Sequence, residues 1–242
     1  MSTATLAAAN AARWSHATLL REAEFTTVAK RRIAAKARYA AVAERTGVPW
    51  FVIAVIHQRE SSQDWSRSLA QGDPWNAVST RVPKGRGPFA SWEAAAVDAL
   101  AACPPYAAAH RDWSIGGTLT LLERYNGLGY FNRGLPSPYL WAGTDQYAKG
   151  KYVRDGVFDA NVVDKQLGCA GLLMAMARLD RSVTFSANET LAPAVVVASG
   201  AAAATAAAGA AQAVLPWSVA ILVAAVAVGV VGYLVWRARR RA

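Results

Sequence analysis

The chain has 242 residues, 54% of them hydrophobic, and carries a formal net charge of +10 with two cysteines and three histidines. After Glu189 the next charged residue is Arg237, which leaves one domain of about 190 residues, long enough to bury roughly 70% of the surface exposed by its unfolded chain. The basic balance is compatible with nucleic acid, anionic lipid or an acidic wall polymer, but no zinc-finger spacing or basic heptad region accompanies it, so nucleic acid is not an expected partner.

Residues 5–45 are dense in alanine, leucine and arginine and free of proline, and they read as helical. Residues 1–47 are accordingly expected as an N-terminal helical extension, with the run KRRIAAKAR at 30–38 on a solvated face. The first 25 residues lack the charged start, apolar stretch and cleavage site of a secretory leader. Gly47 breaks the pattern and Pro49 suits the first turn of a new helix, PWFVIAVIHQRE, which is apolar on most sides as a central buried helix would be. Glu60 falls at its C-terminal end.

Gly72, Pro74, Pro83, Gly85, Gly87 and Pro88 then exclude a long helix, and AVSTRVP is expected to form short strands and a hairpin. Ser91, Ser114 and Asp159 are candidate N-caps for three further helices, the last two separated by an aromatic, glycine-rich loop over 126–153. The fold class is mainly α, a helical domain over 48–189 with a small β-hairpin element. VPKGRGPF lacks the Gly-Lys-Ser/Thr of a phosphate loop. Cys103 and Cys169 form either a disulfide across the domain or two buried free thiols, and His16, His57 and His110 are scattered. No metal and no cofactor is expected.

Residues 190–213 are Ala-rich and uncharged, either a flexible linker, which is the favoured reading, or a weak hydrophobic helix. Residues 214–236 contain no charge and would make about 35 Å of helix against a hydrocarbon layer of about 30 Å, so a transmembrane helix is expected. Trp217, Tyr233 and Trp236 suit the two interfaces, and the basic tail at 237–242 places the C-terminus in the cytoplasm. The side on which the main domain lies stays open.

Glu60 is the first candidate for chemistry. An ordinary glutamate, with a pKa of about 4.3, is protonated in only about one molecule in five hundred at pH 7, whereas a pKa near 6 raises that to about one in ten. Ile53, Ile56 and His57 share its helical face, and the negative end of the helix dipole disfavours a carboxylate there. Arg59 would act in the opposite sense, but adjacent helical residues point about 100° apart, so it is expected to face elsewhere.

The segment RESS at 59–62, followed by a turn-rich insertion and by LERYNGLGY at 122–130, resembles the lysozyme superfamily. Glu-Ser with a later Tyr-Asn-Gly is similar to lytic transglycosylases and goose-type lysozymes. GDPWNAVSTRVPKGRGPF, SPYLWAGTDQY and GKYVRDGVFD look like stretches of phage and bacterial lysozyme-like proteins. The resemblance covers roughly residues 49–180. It implies cleavage of the glycan strand of peptidoglycan, with Glu60 protonating the glycosidic oxygen, and the expected membrane helix at 214–236 would make this a membrane-anchored enzyme of the cell envelope. Hydrolysis by inversion needs a second carboxylate about 6.5 to 9.5 Å away; Asp73 is the candidate, with Ser79 or Thr80 holding the water and Asp64 as a weaker choice. A transglycosylase route, in which the substrate closes to an anhydro sugar, needs no second carboxylate, but the Gly-Leu-Met-Gln usual after Glu-Ser in transglycosylases is absent. Hydrolysis is therefore the expected outcome. Tyr125 and Asn126 match the family's Tyr-Asn and are the leading substrate contacts; Trp75, Tyr130, Tyr139 and Thr80 are further candidates, and most of the aromatics other than Tyr125, with Trp65 and Trp141 among them, have a core role as the alternative. Lys84 and Arg86 either attract an anionic wall or sit in a solvated loop.

Overall fold

A computed structural model describes residues 3–70, 72–81 and 83–187. The expected linker, membrane helix and basic tail lie outside these residues; among the described ones, no single helix is long and apolar enough to cross a membrane.

The first helical stretch is three helices, α1 (Thr3–His16), α2 (Glu22–Ala34) and α3 (Lys36–Thr46). Their apolar residues are not an appendage: Phe25, Ala29, Tyr39 and Val42 are fully buried in the same core as the rest of the domain. α1 lies directly on α6 (Ile115–Asn126), and Gly116 makes that approach possible, because a Cβ there would stand 2.6 Å from the carbonyl oxygen of Ala7. Gly47, at φ 71°, caps α3 in the left-handed conformation and turns the chain into the next helix.

That helix, α4 (Trp50–Ser61), buries every residue from Trp50 to His57, as its uniformly apolar sequence predicts. Pro49 stands just before it, at the N-cap. His57 fixes its C-terminal end: one ring nitrogen is 3.0 Å from the Tyr39 hydroxyl, the other 3.2 Å from the carbonyl of Asp64, and Trp65 and Trp92 pack on the ring. Burial lowers its pKa to about 4, so the imidazole is neutral and acts as a packed hydrogen-bonding strut. Ser62, at φ 56°, then returns its N–H to Gln58 O and ends the helix, leaving Glu60 in the final turn.

The hairpin lies elsewhere than expected. Among the described residues, 77–81 form no strand, and the sheet is formed by β1 (Lys151–Arg154) and β2 (Val157–Asp159), paired antiparallel with Tyr152 opposite Phe158. A polar hub decides the first point: the Asp73 carboxylate accepts from the backbone N–H of Thr80 and of Arg81, both at 2.9 Å, which curls the chain. Asp155-Gly156 decides the second, because this dipeptide suits the tight turn of a two-residue hairpin.

Ser91 caps α5 (Trp92–Ala102) and Ser114 caps α6, each accepting from an N–H three residues on, as expected. Asp159 is not a helix cap. It ends β2 and accepts from Asn161 N, and the last helix, α9 (Cys169–Leu179), begins after Gly168. The intervening segment wraps the end of α4. Two one-turn helices, α7 (Gly129–Asn132) and α8 (Pro138–Trp141), break the aromatic loop. Cys103 and Cys169 are buried free thiols.

Candidate active site

The last turn of α4, the end of α6, α7, α8 and the hairpin surround a cavity of about 600 Å³. Glu60 opens onto it, together with Tyr125, Asn126, Tyr130 and Tyr139. Five of the residues singled out by sequence therefore share one wall system, although 79 positions separate Glu60 from Tyr139.

Glu60 is half-buried, with one side facing the cavity. Its Oε1 accepts from the Tyr139 hydroxyl at 2.7 Å. Burial raises its pKa; the Tyr139 bond and the charge of Arg59 act in the opposite direction but do not cancel the effect. A carboxyl that keeps its proton to higher pH beside an open cavity has the property required of a general acid.

Arg59 does not face away: it lines the same cavity. Its guanidinium is committed to Asp164, with Nη2 2.7 Å from the carboxylate, and it also donates to the carbonyls of Gln166 and Leu167. The two side chains are 7% and 4% exposed, and Lys151 reaches the other Asp164 oxygen at 3.2 Å. Burial pushes Asp164 up, but Arg59 and the donors around it outweigh that and hold it ionised. This buried pair clamps the 160–168 segment to α4, and Gln166 adds a bond from its amide to Arg59 O at 2.7 Å. Sequence reading missed Asp164 and Gln166, for they lie more than 100 positions from Arg59 in an irregular stretch.

Tyr125 places its hydroxyl beside Glu60, buried and without a protein partner, and burial drives its pKa well above the ordinary tyrosine value. Asn126 directs its amide to Ser137 Oγ at 3.3 Å. Tyr130 accepts from Tyr152 N and packs edge-on against the Tyr152 ring, which makes Tyr152 a further aromatic wall.

The other candidates stand apart. Asp73, Thr80 and Trp75 do not line the cavity, although the Asp73 loop runs beside the end of α4, where a Cβ on Gly72 would lie 3.8 Å from Glu60 O. The backbone N–H of Arg81 above all, then that of Thr80 and the Arg81 charge, hold the Asp73 carboxyl below its ordinary pKa. One of its oxygens is taken up by the turn, and the other faces the exposed Arg81 guanidinium at 3.4 Å. Trp75 donates to Trp65 O and Trp65 lies under the Arg38 guanidinium at 3.8 Å, so both serve packing. Asp64 is bound to Ser66 and Arg67. Ser79 bonds Pro83 O and Arg86 N, and Arg86 pairs with Asp98. Trp141 is a core residue, 1% exposed.

No family model, curated protein or solved structure matches this chain. Among the described residues no group of His, Cys, Asp and Glu side chains is arranged to hold a metal ion.

Proposed function

We propose that the chain is a lysozyme-like enzyme that cleaves the glycan strands of peptidoglycan, with Glu60 as the general acid. The observation that carries this reading is the half-buried Glu60 carboxyl with a raised pKa, held by Tyr139 at the edge of a cavity lined by tyrosines. A cavity of about 600 Å³ is within the range of sites for small organic ligands, and tyrosine rings suit the C–H faces of sugars. Glu60 would protonate the leaving glycosidic oxygen, Asn126 would supply its amide to the sugar next to the breaking bond, and the Tyr125 ring would form wall beneath it.

The second step is read differently from the sequence-based expectation of hydrolysis with Asp73. Asp73 is engaged in its own turn, and of the other carboxylates on the cavity wall Asp164 is neutralised by Arg59 and Lys151 while Asp155 sits on the exposed hairpin turn. A single-acid route is favoured: Glu60, ionised after the first step, takes the proton from a hydroxyl of the same sugar as that oxygen closes on the anomeric carbon, giving an anhydro product. The expected membrane anchor at 214–236 would hold the enzyme at the cell envelope.

Loss of turbidity of purified cell walls tests the reading. Wild type is expected to clear them and Glu60→Gln to be slower by at least about a hundredfold, in keeping with the contribution of a positioned acid. Product mass separates the routes, since the anhydro product is lighter by one water. Wild-type protein that binds walls without cleaving them would leave a wall-binding module of lysozyme-like shape instead.

A further inference from the structure

The β1–β2 hairpin brings a cation to the Glu60 cavity that the protein itself does not use. Its register leaves Val153 without an opposite residue, between the Tyr152–Phe158 and Arg154–Val157 pairs. Such a bulge bends a strand and re-aims its side chains, and Lys151, Tyr152 and Arg154 all line the cavity. The hairpin is braced on its other side. Tyr152 N donates to the Tyr130 hydroxyl at 2.9 Å, and the rings of Tyr130, Tyr152 and Phe158 meet edge to face. Arg133 lies over the Phe158 ring at 4.7 Å and donates to the Tyr152 hydroxyl at 2.9 Å. α7 comes so close that a Cβ on Gly129 would stand 3.1 Å from the Tyr152 ring. Arg154 is therefore carried at the end of a strand that is packed in place.

The charges on the cavity wall are unequally answered. Arg59 and Lys151 share the Asp164 carboxylate, at 2.7 and 3.2 Å. Arg154 is exposed, and among the described residues its guanidinium has neither an ion pair nor a hydrogen bond. Its cross-strand neighbour is the apolar Val157, and Asp155, next to it in the turn, does not pair with it. A guanidinium presents parallel N–H donors that match the two oxygens of a carboxylate. One cavity thus joins an acid at the end of α4 to a free donor fork on the hairpin.

We propose that Arg154 selects the substrate of this site by binding a carboxylate on a side substituent of the glycan, while the sugar that bears it lies against the tyrosines. The proposal rests on the glycan-cleaving reading, which itself needs Glu60 and not Arg154. The carboxylate belongs either to the lactyl ether of a peptide-free sugar or to a peptide attached there, and the chemistry of recognition is the same.

Calorimetric binding to full-length protein carrying Glu60→Gln, which holds the glycan without turning it over, tests the assignment. Two four-sugar fragments of peptidoglycan serve as probes, one peptide-free and one with its peptides, each compared with the same fragment after conversion of its carboxylates to primary amides. At least one acid form should bind about fivefold more tightly than its amide, the upper end for an exposed ion pair, and the fragment that shows the preference identifies the source of the carboxylate. Adding Arg154→Gln should abolish the preference, and Arg154→Lys should keep part of it, because the charge remains while the fork is lost. Equal binding of acid and amide in both fragments, a preference that survives Arg154→Gln, or no binding of any fragment would overturn the proposal. Failure of the glycan-cleaving reading has a different signature, wild-type protein that leaves cell walls turbid.

Discussion

Replacing Glu123 by glutamine is expected to remove most of a fall in folding stability between pH 5 and pH 8. Glu123 is 3% exposed, and its pKa rises from an ordinary 4.5 to about 8, chiefly through burial. Within that window the unfolded chain gives up the proton while the folded chain keeps it, so the folded state binds more protons and stability declines as pH rises. The favourable contribution is fully present below pH 4.5 and is lost as pH passes through 8. At about 1.4 kcal/mol per pH unit, the loss accumulates to roughly 3 to 4 kcal/mol between pH 5 and pH 8, a large part of the 5 to 15 kcal/mol typical of a domain. Glutamine has no proton to lose. Denaturant unfolding followed by far-ultraviolet circular dichroism at each pH gives both stabilities, and the difference between wild type and Glu123→Gln cancels the titration of groups common to both. Parallel curves, agreeing to within about 1 kcal/mol from pH 5 to pH 8, would show that Glu123 ionises inside the fold much as it does in water, and the reasoning from burial would fail.

Tyr139→Phe removes the bond that favours ionised Glu60, so the Glu60 pKa should rise further and the alkaline limb of wall-clearing activity should move to higher pH. Asp73→Asn keeps acceptor capacity in the turn and should retain activity within about tenfold, since general acid–base groups contribute about 10²- to 10⁴-fold; loss beyond that range would restore Asp73 to the chemistry. Asp164→Ala strands the buried Arg59 guanidinium and should destabilise the fold by about 3 kcal/mol or more in denaturant unfolding. Gly116→Val forces α1 off α6 and should lower Tm by several degrees, about 1 to 3 kcal/mol of overpacking.

Local chemistry explains what could be read in advance. The apolar run from Trp50 to Ile56 can be satisfied only in a core, so a central helix with Glu60 at its end follows from composition. Ser91 and Ser114 are caps because a side-chain oxygen at that position satisfies an otherwise free N–H. Val78, Thr80 and Val82 suggest a hairpin by their β-branching, but the Asp155-Gly156 turn is the stronger hairpin signal and the strands form on either side of it. Asp159 looked like a cap because acidic residues before apolar runs often are, but a cap needs the helix to start beside it, and Asp164 draws the following residues to Arg59 first.

What the amino-acid order determined by itself was the helical character of the first 46 residues, the helices that begin after Pro49, Ser91 and Ser114, the break at Gly47 and a carboxyl at the end of the most apolar helix. Which groups surround that carboxyl was decided only in three dimensions, since Tyr139, Asp164 and the hairpin arrive from positions far along the chain. The physical reason is that helix formation and capping depend on neighbours within about four residues, whereas desolvation and charge pairing depend on whatever packs nearby in space. Asp73 and Glu60 are both acidic residues beside a helix end or turn; one keeps its charge because backbone N–H groups donate to it, and the other resists ionisation because the domain core strips it of water, against the pull of the Tyr139 hydroxyl.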